Sequence, residues 1–231
     1  MSALFLSPHP DDVELFCGGT VAMLASVTKV HIADLTRGEM SSNGTVERRA
    51  EEARGAARIL GVDAERVQLG LPDAALDARD EDQLRAVIAV VRRLRPDTLF
   101  APWIVDRHPD HVAAGELARK AVALAAKPGY EAPDEPFGPR RLLHYPCHSG
   151  VEVSLLVDVG PAIEKWEAAV RSYPSQFLDE GGVPTPINRP GFIDHHRRRR
   201  QRWGGIAGVE YAEAFVHEGP WPLALSELGR S

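Results

Sequence analysis

Four times along the chain a short apolar run ends in a polar loop that leads into a helical stretch, and this alternation limits the fold more than any other feature. Residues 3–6 precede Ser7-Pro8-His9-Pro10-Asp11-Asp12, after which a helix opens and residues 20–26 read as helical. Residues 29–35 precede Thr36-Arg37-Gly38-Glu39 and a polar loop over 40–45. Thr45 then stands where a cap belongs, Ala50, Ala53, Ala57 and Leu60 recur at helical spacing, and Gly61 closes the run. Residues 67–69 precede Gly70-Leu71-Pro72-Asp73. Leu84, Val87, Val91 and Leu94 mark the amphipathic helix that follows, stopped by Pro96. Residues 98–101 precede Asp106-Arg107-His108-Pro109-Asp110-His111 and a helix over 112–126. Strands that alternate with helices pair in parallel and leave helices on both faces. The expected fold is a Rossmann-like three-layer αβα sandwich with a mostly parallel sheet, in one domain spanning residues 1–231. No Gly-x-Gly-x-x-Gly follows any strand, so nothing points to a dinucleotide.

The carboxyl-terminal part is less regular. Residues 127–139 read as a connecting loop, 141–145 and 152–157 as strands, and 162–172 as a helix with Trp166 and Val170 inward. Residues 178–193 are rich in Gly and Pro, and a long loop of that kind often covers a substrate. The basic run 197–200 lies in a helix and reads as a solvated or subunit-facing surface.

In a parallel sheet all four loops emerge at one edge, where open α/β sheets bind their ligands. That edge gathers His9, Asp11, Asp12, Arg37, Asp73, Arg107, His108, Asp110 and His111. An Asp after Pro is also an ordinary helix cap, and a lone His at a helix start is usually a surface residue. Two clusters of the same kind are harder to dismiss. His9, Asp12 and one of His108 and His111 form a two-imidazole, one-carboxylate set, which is the composition of a catalytic zinc site with a position left for water. The same donors accept iron(II) or cobalt. Asp11 is either a second ligand or a base beside the metal. Glu14 is either an outer partner of a ligand His or a helix-start acid. Arg49 and Glu52 form an exposed ion pair, or line the site.

The formal charge of −6 excludes a generally basic, nucleic-acid-binding surface but allows a local positive pocket. Cys17 and Cys147 are the only cysteines, consistent with reduced thiols, and Cys17 is expected to pack behind the first loop. No signal peptide and no apolar run of membrane-spanning length is visible, so a cytoplasmic protein without membrane or nucleic-acid partners is expected.

His-Pro-Asp-Asp-x-Glu at 9–14 and His-Pro-Asp-His at 108–111 together resemble the LmbE-like (PIG-L) zinc-dependent N-acetylglucosaminyl deacetylases, over nearly the whole chain. Asp34-Leu35-Thr36-Arg37-Gly38-Glu39, Gly70-Leu71-Pro72-Asp73, Tyr173-x-Ser175-Gln176-Phe177 and Tyr211-Ala212-Glu213 look like the bacillithiol-biosynthesis subgroup. The resemblance implies His9, Asp12 and His111 on zinc, Asp11 as general base, His108 as acid, and Asp110 orienting His108. It implies an N-acetyl sugar substrate, N-acetylglucosaminyl-malate in that subgroup, and a homo-oligomer. For substrate contacts it suggests Arg107 first, then Arg37, with Asp73, Arg49 and Gln176; Gln176 can equally tie loops together. Phe16, Val46, Ala74-Ala75 and the segment His144-Tyr145-Pro146-Cys147-His148 depart from the subgroup's pattern and bear on the aglycone.

Overall fold

The computed structural model describes residues 1–148, 150–178 and 181–221. Five strands form one wholly parallel sheet: β1 (Ser2–Ser7), β2 (Lys29–Asp34), β3 (Arg66–Gln68), β4 (Thr98–Pro102) and β5 (Arg141–Tyr145), in the order β3-β2-β1-β4-β5. Side chains alternate across it. Ala3 and Phe5 enter one apolar layer, while Leu4 and Leu6 enter the other. The first layer is covered by α1 (Asp12–Ala25), α2 (Val46–Leu60), α5 (Ile163–Arg171) and α7 (Phe192–Ala207). The second is covered by α3 (Glu81–Leu94) and α4 (Pro109–Ala125). Helices on both faces of a parallel sheet make the expected three-layer αβα sandwich. Phe5 and Phe100, paired in the β1–β4 register, stack with ring centroids 4.2 Å apart.

The local rules read from the sequence operate here. Thr45 caps α2 by accepting the Arg48 N–H, and Gly61 closes it in the left-handed region, at φ 78°. Arg95, also left-handed, ends α3 just before Pro96. α1 opens at Asp12, directly after the first polar loop as expected, and its run from Asp12 to Ala22 is buried on every side and shows no amphipathic stripe. It breaks at Cys17, whose φ of −144° is not helical. Cys17 itself is buried, as expected.

The later of the two carboxyl-terminal strands is β6 (Leu155–Asp158), and it pairs antiparallel with β7 (Ala212–Phe215) outside the main sheet. A short helix, α6 (Pro174–Phe177), follows α5. Of the loop expected over 178–193, residues 179 and 180 lie outside the described residues. Val183 is bound to Asn43 through both its backbone groups, which joins this loop to the polar loop after β2.

The basic run on α7 is not simply a solvated surface. Arg200 is buried: it donates to Glu213 Oε1 at 2.6 and 2.9 Å and to the Leu15 carbonyl, and lies over the Trp166 ring. Arg197 pairs with Glu164 and Glu167. A guanidinium can be buried when its donors are met by a carboxylate and carbonyls, and Glu213 is supplied by β7. Among the described residues, no helix is long and apolar enough to cross a membrane.

Candidate metal centre

The sheet order reverses between β1 and β4, and the loops leaving these neighbouring strands part in opposite directions. The crevice between them is where ligands of doubly wound sheets bind. The β1 loop brings His9, Asp11 and Asp12 to it, and the β4 loop brings His108 and His111. His9, Asp12 and His111 each direct a donor atom into a space where all three lie within 4.8 Å of one another. Asp12 Oδ2 is 2.9 Å from His9 Nδ1 and 3.3 Å from His111 Nε2.

The second nitrogen of each ring faces an outer carboxylate. His9 Nε2 lies 3.2 Å from both Asp73 Oδ1 and Asp110 Oδ2, and His111 Nδ1 lies 3.6 Å from Asp106 Oδ1. An N–H turned toward the outer carboxylate leaves the inner nitrogen as a lone pair, the state a metal-binding imidazole needs. At 3.6 Å the Asp106 contact is electrostatic, and the buried His111 Nδ1 has no hydrogen-bond partner among the described residues. Burial works against a charge on His9, but hydrogen bonds that its ring donates to Asp110, Asp12 and Asp73 outweigh it and hold its pKa well above the usual imidazole value. Burial likewise raises Asp12, yet His111 and His9 hold it well below the usual carboxylate range. Two imidazoles and one carboxylate in a buried, acid-rich pocket therefore fit a divalent cation.

Asp11 does not cap α1. It precedes the helix at φ 125° and makes no side-chain cap bond. Such a backbone costs about 1–3 kcal/mol in a residue with a side chain. Its carboxylate is held from outside, by Arg49 Nη2 at 2.6 Å, while Arg49 Nε donates to the Pro10 carbonyl. Burial pushes the Asp11 carboxyl up to about 7, against the pull of Arg49. That lies in the range where a carboxylate can take and return a proton near neutral pH.

His108 is the N-cap of α4: its Nδ1 accepts the Asp110 N–H at 3.3 Å, which leaves the proton on Nε2. Burial, then the neighbouring His111 and His9, draw its pKa down, so it is a neutral donor.

Several expected contacts differ. Asp110 meets the His108 ring through its backbone N–H and not through its carboxylate. Its carboxylate accepts the Ala74 and Leu76 N–H groups and meets His9, because α4 turns it toward the loop after β3. Glu14 does not hold a ligand His: it is an acid of the first turn of α1, fully buried, where it pairs with Arg66 and accepts from the Tyr173 hydroxyl. Arg49 and Glu52 are buried rather than an exposed pair. Glu52 accepts from the Ser175 N–H and hydroxyl.

A pocket of about 370 Å³ covers the centre, lined among others by His9, Asp11, Asp12, Arg49, Asp73, His108, His111 and Gln176. Gln176 also ties loops together, accepting from Ser41 and donating to the Asn43 carbonyl. Arg37 and Arg107 are exposed and do not line this pocket. Arg37 lies against Gly70, where a Cβ would come within 3.2 Å of its guanidinium.

Two residues without an assigned role in the sequence reading stand at the centre. Asp106 faces His111 and binds His148 through both the ring, at 2.9 Å, and the backbone N–H. Burial raises the Asp106 carboxyl, but His148 and the N–H groups of His108 and His148 hold it well below the usual range. His148 stacks on His111 with centroids 5.2 Å apart. Position was the available signal: Asp106 heads the second cluster, and His148 follows a strand end.

The family model for GlcNAc-PI de-N-acetylase (PIG-L) matches residues 4–122, which include both metal clusters. The chain belongs to the PIG-L family. A diacetylchitobiose deacetylase of Thermococcus kodakarensis is 31% identical over 193 residues, 77% of this PIG-L chain and 70% of that protein. The conserved protein TT1542 from Thermus thermophilus superposes with a TM-score of 0.88 at 42% identity, covering 96% of this chain and 97% of that one. A 4-oxalmesaconate hydratase of Pseudomonas putida is 31% identical over 144 residues, 56% of this chain and 55% of that protein. The relatives of this chain thus include one protein named as a deacetylase and one named as a hydratase.

Proposed function

We propose that this protein hydrolyses the N-acetyl group of an N-acetylated amino sugar, with a divalent cation, zinc first, held by His9, Asp12 and His111. The observation that carries this reading is the convergence of those three donors in one pocket with Asp11 and His108. When bound there, such an ion acidifies a water molecule and polarises a carbonyl oxygen. Asp11, anchored by Arg49, takes the proton from the attacking water. His108 Nε2–H faces the acetyl carbonyl and stabilises the oxygen as its charge grows. The carbon–nitrogen bond then breaks, acetate leaves, and the amine takes up the proton that Asp11 carried. Asp73 and Gln176 line the pocket and offer acceptors to sugar hydroxyls.

The motif resemblance makes N-acetylglucosaminyl-malate the first substrate to try, with the protein acting as a cytoplasmic homo-oligomer. The hydratase relative favours a second reading, water addition to a carboxylated alkene at the same centre.

The test is acetate release by the metal-loaded protein from N-acetylglucosaminyl-malate, the inositol glycoside and diacetylchitobiose, alongside alkene consumption from 4-oxalmesaconate. Acetate from at least one glycoside supports deacetylation, and Asp11→Asn should retain the metal while losing ~10²–10⁴ in rate. Alkene consumption without acetate release, or an Asn variant that turns over like the wild type, overturns this assignment.

A further inference from the structure

Phe16 follows Asp12 by one helical turn, so the face of α1 that turns a ligand toward the metal centre also turns this ring toward it. Together with Leu15, it borders the metal pocket on one side and a cavity of about 10 Å³ on the other. A cavity of that size holds about one water molecule. The ring stands between two imidazoles. Its centroid is 6.1 Å from that of His111 and 5.5 Å from that of His196, which is buried on α7.

The ring is also held in place. Tyr145 stacks on it at 6.5 Å, His148 meets it edge-on at 5.3 Å, and the Arg199 guanidinium lies 6.0 Å above its face. Arg199 is itself tied to the carbonyls of Cys147 and Pro146. A side chain packed on this many sides gives little ground. Phe16 is therefore a fixed wall of the pocket.

The sugar-facing groups lie toward the other ligand. Asp73 touches His9, and Gln176 belongs to α6, whereas Phe16 packs against His111. An amide has the sugar on its nitrogen and the acyl chain on its carbon. With the sugar hydroxyls at Asp73 and Gln176, the acyl chain points across the centre to Phe16.

We propose that Phe16 sets the length of the acyl group this centre can hydrolyse: an acetyl methyl rests against the ring, and a longer chain meets it. This rests on the deacetylase reading and names the acyl class. Phe16 then bears on the acyl side of the substrate and not on the aglycone. The reaction is the same for any chain length. Water adds to the carbonyl carbon, the carbon–nitrogen bond breaks, the acid leaves as its carboxylate, and the amine takes the proton. What changes is whether carbons beyond the methyl find room.

The test uses the zinc-loaded full chain, with the N-acetyl and N-butyryl forms of whichever glycoside is hydrolysed fastest. Wild type should prefer the N-acetyl form by about 10- to 200-fold in kcat/KM, the range that one misplaced methylene commands. Phe16→Ala should raise the butyryl-to-acetyl ratio by a similar factor, and Phe16→Leu by less. Phe16→Ala leaves a cavity and lowers Tm. Phe16→Leu keeps more of the volume and decides the matter if the Ala variant does not fold. Calorimetry with acetate and butyrate gives a readout independent of turnover: wild type should bind acetate more tightly, and Phe16→Ala should reverse that order. A wild type that hydrolyses both acyl lengths equally overturns the proposal, as do folded, zinc-containing variants whose ratio stays at the wild-type value. No hydrolysis of any glycoside by wild type, with the carboxylate order still reversed in Phe16→Ala, sustains the wall and sinks the deacetylase reading.

Discussion

Replacing Arg200 by Met should destabilise the protein by about 3–5 kcal/mol, because it strands a buried carboxylate. Glu213 is 2% exposed. It accepts the Gly19 N–H at 3.0 Å through Oε1 and the Thr20 N–H at 2.7 Å through Oε2, and Arg200 is its only ion-pair partner among the described residues. Those N–H groups belong to the part of α1 after the break at Cys17, so Glu213 fixes the helix that carries Asp12. Met keeps the packing over Trp166 but not the charge. Adding Glu213→Gln removes the stranded charge. The Gln side chain has one oxygen, so one of the two N–H groups loses its acceptor, at a cost of about 1–3 kcal/mol. The double variant should therefore be more stable than Arg200→Met alone. Urea unfolding followed by fluorescence reads both values as midpoint shifts at constant slope. An Arg200→Met loss under about 1 kcal/mol, or a double variant losing the sum of the two single losses, would refute the argument that this pair is held by charge compensation.

Asp106→Asn should weaken zinc binding about 10- to 100-fold, since the outer carboxylate facing His111 is lost; competition with a chromogenic chelator measures it. Gly115→Ala should destabilise by about 1–3 kcal/mol, because its Cβ would come 2.6 Å from the Pro102 carbonyl oxygen at the end of β4; thermal melting checks it. Gln176→Ala should cut the link between the loop after β2 and α6, speeding hydrogen exchange of the amides at 41–43 with little change at Asp12.

The alternation of apolar runs and polar loops was enough to give the sandwich, and the strand-end rule was enough to gather His9, Asp12 and His111, because both follow from backbone periodicity. What escaped lies where periodicity stops. Neighbours in the β4 loop turn opposite ways: Asp106 inward to His111 and Arg107 outward to solvent. Nothing in a loop's sequence sets that direction. Arg200 read as surface because its partner sits on β7, a strand of four residues too short to show a pattern. Glu14 and Arg66 belong to a buried network whose members come from different elements, and charge pairing across a fold is invisible along the chain. Residues 13–19 of α1 show no helical periodicity because a helix buried on all sides has no polar face.

Zinc stoichiometry combined with anomalous diffraction at the zinc edge addresses the metal assignment most directly. One ion per chain is expected, bonded to His9, Asp12 and His111, and absent from His111→Ala. A peak bonded to other side chains, or full zinc content in that variant, would contradict the account.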